Sequence, residues 1–300
     1  MDIITTSGLT KAYGRATVVA DLDLRVPKGC VYGFLGPNGS GKSTTMKMLL
    51  ALAQPTAGTI RIFGEPMTRT TRRRLLAGIG SLIEAPSVYG HLTGAENMRV
   101  VQKLLGLSDD EVRRALATVR LEQHRDKLVR NYSLGMKQRL GIAMALARSP
   151  RLLVLDEPTN GLDPAGIEEI RELLVSLAAD GITVMVSSHL LAEMDKMAEV
   201  LGIIDHGRLI FQGTRAELFA RSVPDLVIET PDPARAQEIL HRAHPARTPD
   251  GITITRPDPN GTALAVAHLV RHDVAIHEVR RRQQSLEEVF IDLTGRGGDL

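Results

Sequence analysis

The chain has almost no cysteine. Its one thiol, Cys30, excludes an internal disulfide framework and fits a reducing compartment. Between Gly29 and the run "VYGFLG", it reads as a small buried hydrophobe. Net charge is also scarce: 37 basic against 35 acidic residues leave a formal +2, so charge balance does not point to nucleic acid. Lysine is absent beyond Lys196, where arginine carries the positive charge. No apolar run reaches the ~18 residues that a membrane helix needs, and the N-terminus has no signal-peptide pattern. An intracellular chain is expected, soluble by itself and reaching a membrane only through a partner. Internal repeats and low-complexity tracts are missing too.

Against these absences stand 300 residues, 43% of them apolar and 24% charged. That supports a packed core and a large domain with a smaller one beside it. Residues 1 to about 27 read as short strands with a turn at Lys11–Arg15. Three apolar runs, "CVYGFLG" (30–36), "RLLVLDEP" (151–158) and "GITVMVSS" (181–188), have the continuous hydrophobicity of strands buried on both faces. Helical patterns separate them: "KSTTMKMLLALA" (42–53), a helical insertion at about 88–147, and "AGIEEIRELLVSLAAD" (165–180). "VLGIIDHGRLIFQG" (200–213) reads as a hairpin turning at His206-Gly207. The expected fold is α/β, with a largely parallel sheet. After about residue 218, prolines break the chain into short pieces. Residues 219–300 are expected to form a small α+β domain, with helices near 234–243 and 262–271, a strand "DVAIHEV" and a last helix "QSLEEVFIDLTG".

One loop carries explicit chemistry. "GPNGSGKST" runs from Gly36 through Pro37, Asn38, Gly39, Ser40, Gly41, Lys42 and Ser43 to Thr44. It follows a buried strand and opens a helix, the context that a phosphate-binding loop requires. Its glycines let successive N–H groups turn inward on an anion, and the helix start adds its positive dipole end. Lys42 is placed to reach β- and γ-phosphates, and the Ser43 hydroxyl to ligate Mg²⁺. "LLVLDEP" puts Asp156 at a strand's C-terminal end, where α/β sheets bind ligands. Asp156 would hold Mg²⁺ through water, and Glu157 would orient or deprotonate the attacking water. His189 ends the third apolar run and arrives at the same edge, able to donate to the γ-phosphate.

With these residues in fixed order, residues 3 to about 218 resemble the ATP-binding subunit of an ABC transporter. "GPNGSGKST" is similar to the Walker A loop, "LLVLDEP" to Walker B, and "NGLDP" (160–164), with Asp163, to the D-loop. His189 resembles the switch histidine. Tyr13, in "LTKAYGR", matches the aromatic that stacks on adenine. "YSLGMKQR" (132–139) stands where the family has its LSGGQ signature. Ser133 and Gly135 match, whereas Leu134 replaces the first Gly and Met136 the Gln. The resemblance implies a P-loop NTPase core of RecA type, with an antiparallel β part and a helical subdomain. It also implies ATP and Mg²⁺ as ligands. It implies a dimer, of like or similar chains, in which Ser133, Gly135 and Met136 face the ATP of the other subunit. A separate transmembrane permease and a peripheral place on the cytoplasmic face of the membrane follow from the same resemblance.

The run "GIGSLIEAPSVYG" (78–90) ends its apolar part in an acid. A buried carboxylate needs a positive partner. By the resemblance, Glu84 occupies the Q-loop position, where it would contact Mg²⁺ and the attacking water. Segment 84–100 would dock on the permease. "LIEAPSVYGHLTGAENM" together with "SLGMKQRLGIA" resembles the branch of bacitracin- and lantibiotic-resistance exporters. An exporter of a peptide antibiotic or related amphiphile is therefore the expected function. Other cargoes, such as a hydrophobic drug, sodium or a lipid, stay open. So does a soluble ATPase acting on nucleic acid or ribosomes, although one cassette, no coiled coil and no basic patch speak against it.

Overall fold

The computed structural model describes residues 1–220, 222, 224–255, 257 and 259–295. They divide into two compact units, Met1–Arg215 and the residues from Ala216 onward. The first unit opens with β1 (Asp2–Tyr13), β2 (Ala16–Leu22) and β3 (Arg25–Pro27), then β4 (Val31–Leu35) and α1 (Lys42–Leu49). β5 (Ala57–Ile62), β6 (Glu65–Pro66), α2 (Arg72–Leu76) and β7 (Ile79–Leu82) follow. The helical part comprises α3 (Gly94–Leu105), α4 (Asp109–Thr118) and α5 (Leu134–Leu146). β8 (Leu152–Asp156), α6 (Pro164–Ala179), β9 (Thr183–Ser188), α7 (Leu191–Met197), β10 (Val200–Asp205) and β11 (Arg208–Thr214) complete it.

Two sheets share this unit. The antiparallel one has the order β2-β1-β5-β6, with β3 also on β1. The other has the order β11-β10-β4-β9-β8-β7 and is parallel except for the β10–β11 hairpin. Every residue of β4, β8 and β9 is buried, which is why these strands read as unbroken apolar runs. Register fixes the chemistry: Leu35 pairs with Ser188, and Asp156 with Ser187. The loops after three parallel strands therefore open at one edge. Tyr32, Phe34, Met46, Ile62, Leu152 and Met185, drawn from both sheets and α1, share one core.

The helical part is set by its caps. Thr93 and Ser108 each form a capping box, with Glu96 and Glu111 three residues on, so α3 and α4 start at defined residues. Gly106 closes α3 in the left-handed conformation.

The second unit begins at Ala216, within α8 (Arg215–Ala220) and three residues before the expected start at 219, and continues through β12 (Asp225–Glu229) and α9 (Pro233–Ile239). β13 (Ala246–Thr248), β14 (Gly251–Ile254), α10 (Pro259–Arg271), β15 (Glu278–Arg282) and α11 (Leu286–Thr294) follow. Its antiparallel sheet has the order β13-β14-β12-β15. Leu226, Ile228, Ala236, Ile252 and Leu269 form a core of their own.

Four expectations need correcting. The opening strands are longer than expected: β1 runs twelve residues and turns only at Gly14-Arg15, where Gly14 takes φ 59°. The first helix stops at Leu49 rather than residue 53, because Ala51 takes φ 55° before Pro55. The helix expected at 234–243 is α9 followed by a separate 3₁₀ turn at His241–Ala243. The strand expected at "DVAIHEV" begins only at Glu278 and consists of exposed residues, held by pairing with β12 rather than by burial.

Candidate active site

The loop after β4 is built on space that only glycine leaves. A Cβ on Gly36 would run into the Ile204 carbonyl and the Ser40 hydroxyl. Gly41 takes φ 105° as the N-cap of α1, a conformation that a side chain would strain. Lys42 begins the helix and is 6% exposed. Its Nζ donates to the carbonyl of Gly36 at 2.6 Å and to that of Pro37 at 3.2 Å. Burial pulls the Lys42 pKa down, and the carboxylates of Glu157 and Asp156 partly hold it up. Among the described residues, the buried Ser40 Oγ has no hydrogen-bond partner. A buried ammonium, a hydroxyl without a partner among the described residues, and a loop with no room for a Cβ at Gly36 or Gly41 suit a polyphosphate. Ser43 and Thr44 lie half-buried on the first turn, and Asn38 and Gly39 are exposed at the loop's tip.

Asp156 ends β8 and is buried, and the Ser187 hydroxyl of β9 donates to its Oδ1 at 2.5 Å. The same hydroxyl accepts from the Glu157 N–H at 3.0 Å. Glu157 turns away with φ 50°, which aims its side chain out of the strand. Its Oε2 lies 2.7 Å from His189 Nδ1. The acid pair and the histidine are thus one hydrogen-bonded group. Ser187 escaped the sequence reading. The only signal for it was a polar residue at the end of a buried strand.

Glu84 departs from expectation. It is exposed, with φ 66°, and its Oε1 accepts from Lys47 Nζ at 2.8 Å. The acid is not a buried charge, and among the described residues its positive partner is Lys47 of α1. The Lys47 ammonium holds the Glu84 carboxyl below the usual carboxylate range. Lys47 was missed because it sits 37 residues away in sequence.

Tyr13 is 53% exposed at the end of β1. Lys11 Nζ lies 4.6 Å from the centre of its ring and donates to the Gln54 carbonyl at 2.7 Å. One ring face therefore carries a cation. Ser133 is the N-cap of α5, and its hydroxyl accepts from the Met136 N–H at 3.2 Å. Asp163 caps α6 by accepting from Gly166 N–H at 3.2 Å. Among the described residues, no hydrogen bond or ion pair joins Ser133, Gly135 or Met136 to the loop 36–44. The structure brings Lys42, Asp156, Glu157 and His189 together. Nor does any group of three or more His, Cys, Asp or Glu among the described residues suit a metal ion.

A buried lysine over a glycine loop, with an Asp-Glu pair at the next strand end but one, defines a P-loop nucleotide site. Comparison with known proteins narrows the class. Residues 19–160 match the family "ABC transporter". The bacitracin transport ATP-binding protein BcrA of Enterococcus faecalis is 40% identical over 99% of this chain and 97% of its own length. The lantibiotic transport ATP-binding protein SrtF of Streptococcus pyogenes is 46% identical over 68% of this chain and 87% of its own. A dimeric post-hydrolysis structure of the ATP-binding cassette MJ0796, bound to ADP and Pi, superposes with TM-score 0.63. That match has 25% identity and covers 70% of this chain and 98% of that one. The chain belongs to the ATP-binding subunits of ABC transporters. It is an ATP hydrolase of the kind that drives transport.

Proposed function

We propose that this chain powers an exporter of a peptide antibiotic or a related amphiphile, working as a dimer on separate membrane subunits. The end-to-end likeness to a bacitracin transport subunit carries this reading, because it extends through both units of the chain. No helix among the described residues is long and apolar enough to cross a membrane, so passage of cargo needs other chains. The proposed place of work is the cytoplasmic face of the membrane.

The side chains divide the work. Lys42 turns from the Gly36 and Pro37 carbonyls to the β- and γ-phosphates, exchanging neutral acceptors for charged ones. Tyr13 offers the ring face opposite Lys11 to adenine. Ser43 and Asp156 would hold Mg²⁺, which neutralises phosphate charge when bound. Ser187 fixes both the Asp156 carboxylate and the Glu157 backbone. Glu157 takes the proton of the attacking water, and His189 holds the carboxylate in position. Ser133, Gly135 and Met136 lie away from this chain's own loop and serve the ATP of the second subunit. Glu84 would meet the metal side from its place beside Lys47.

Glu157→Gln tests the core of the proposal. The variant is expected to bind ATP, lose at least about 99% of turnover, and accumulate as an ATP-dependent dimer in size exclusion. Hydrolysis near the wild-type rate would remove Glu157 from this role. Cargo is tested separately, by the resistance of cells that express the chain with its permease to bacitracin and lantibiotics.

A further inference from the structure

A cleft of about 340 Å³ lies where the end of α1 meets β5 and the turn after β6. It shares no residue with the loop 36–44, nor does it include Asp156, Glu157 or His189. Its volume falls at the small end of ligand sites, about 300–1,000 Å³. Met48 and Ile60, both buried, and the half-buried Met67 give it an apolar lining. Two methionines in one lining suit a flexible chain, because their side chains reshape around what they touch. Arg69 and Arg72 line the same cleft, and both are exposed. Arg74 close by pairs with Glu65, whereas Arg69 and Arg72 make no ion pair among the described residues. A carboxylate or phosphate head is the partner that two such guanidiniums fit.

Both walls are fixed by internal hydrogen bonds. In the turn after β6, the Thr71 hydroxyl donates to the Pro66 carbonyl at 2.6 Å and accepts from the Thr68 N–H at 2.9 Å. Beyond α1, the Leu52 and Ala53 N–H groups donate to the Lys47 carbonyl at 2.8 and 3.1 Å. This second wall also reaches the nucleotide side. The Gln54 carbonyl accepts from Lys11 Nζ at 2.7 Å, and Lys11 lies over the Tyr13 ring. The Ala12 N–H donates to the Thr56 hydroxyl at 3.0 Å.

We infer that this cleft binds a free single-chain amphiphile with an anionic head. The chain lies on Met48, Ile60 and Met67, and the head pairs with Arg69 and Arg72. Inorganic phosphate alone gains nothing from the apolar lining, and a cationic chain is repelled by the guanidiniums. An occupied cleft holds residues 51–56, so the Gln54 carbonyl keeps Lys11 on one face of Tyr13 and leaves the other for adenine. The amphiphile and ATP therefore favour each other's binding. This coupling rests on the adenine reading of Tyr13 above; the cleft itself does not.

The test is calorimetric titration of the full chain with decanoate. One site per chain is expected, which inorganic phosphate and decyltrimethylammonium do not fill. Octanoate, two methylenes shorter, should bind roughly tenfold more weakly. Arg69→Gln with Arg72→Gln should weaken decanoate roughly tenfold or more. Thr59→Trp, which fills the cleft from an exposed position of β5, should abolish binding. Without decanoate, both variants should hydrolyse ATP at the wild-type rate, which shows them folded. Absence of a decanoate site would overturn the inference, as would equal binding of decyltrimethylammonium or undiminished binding in the arginine variant. So would cosedimentation with phosphatidylglycerol vesicles that needs the two arginines while decanoate does not bind, because the patch would then be a membrane contact. Decanoate should also tighten a fluorescent ATP analogue about fivefold, and Lys11→Gln should remove that effect while binding decanoate as before. An effect that persists in Lys11→Gln would overturn the coupling. If Tyr13→Ala keeps its ATP affinity, the adenine reading fails by itself, and decanoate binding does not depend on it.

Discussion

Single residues show how place decides chemistry. Cys30 stands before β4, and its Sγ approaches the Pro27 carbonyl at 3.4 Å. Burial, with Glu199 adding to it, pushes its thiol up to about 11. The thiolate is the reactive form. At pH 8 the native chain should therefore be inert to a disulfide-exchange reagent such as DTNB, and one thiol should appear on unfolding in guanidinium. Fast native labelling would mean that Cys30 is open. Glu84 makes the opposite case. Its run of apolar neighbours suggested a buried charge, but the turn to φ 66° carries the side chain into solvent and onto Lys47. Glu84→Gln removes that weak, exposed ion pair and, on the proposed Mg²⁺ contact, would replace a hard charged ligand by an amide. ATP binding should stay near wild type while half-maximal activity shifts to higher Mg²⁺. An unchanged Mg²⁺ titration would make the acid incidental.

At the scale of elements, caps and pairing carry information that composition hides. α11 starts at the cap Ser285, whose hydroxyl accepts from the Glu288 N–H, while Glu288 Oε2 accepts from the Ser285 N–H at 2.7 Å. Glu288 Oε1 also accepts from Arg282 of β15 at 2.9 Å, and Arg282 bridges to Asp225 of β12. Burial pushes the Glu288 carboxyl up, but the Ser285 N–H and Arg282 outweigh it and hold the group below its usual range. A depressed carboxylate stabilises the fold above its unfolded value, near 4.3, and loses that contribution as pH falls through the native value. Glu288→Gln keeps the capping geometry and removes the charge. It should cost about 0.2–1 kcal/mol at pH 7, discounted for exposure, and nothing measurable at pH 2, read from urea unfolding. A cost that persists in acid would place it in packing instead.

The same scale shows what was legible in the sequence. β4, β8 and β9 were, because strands buried on both faces have no polar positions to confuse the pattern. The phosphate loop, Asp156, Glu157 and His189 were legible too, since each follows one of those strands. β15 was not: the residues of "EVRRR" are all exposed, and only hydrogen bonding to β12 makes them a strand. Ser187 and Lys47 act on site residues that register and helix geometry bring near, across 31 and 37 positions of sequence.

For the whole molecule, the division into two compact units implies two cooperative transitions. Tyr32, Phe34 and Met46 belong to the first core, and Leu226, Ile228 and Leu269 to the second. Lys42, Asp156, Glu157 and His189 all lie in the first unit. A ligand that binds one folded unit stabilises that unit by RT ln(1 + [L]/Kd), about 2.7 kcal/mol at a hundredfold excess over Kd. Calorimetry of the full chain should show two transitions. MgATP, added to Glu157→Gln so that it is not consumed, should raise one of them by about 5–10 °C and leave the other in place. Glu288→Gln, whose charge lies in the second unit, should move only the transition that ATP leaves alone. The two perturbations then assign each transition to its unit without cutting the chain. A single transition that both perturbations move would show instead that the units unfold together, and that nucleotide binding is felt through the whole molecule.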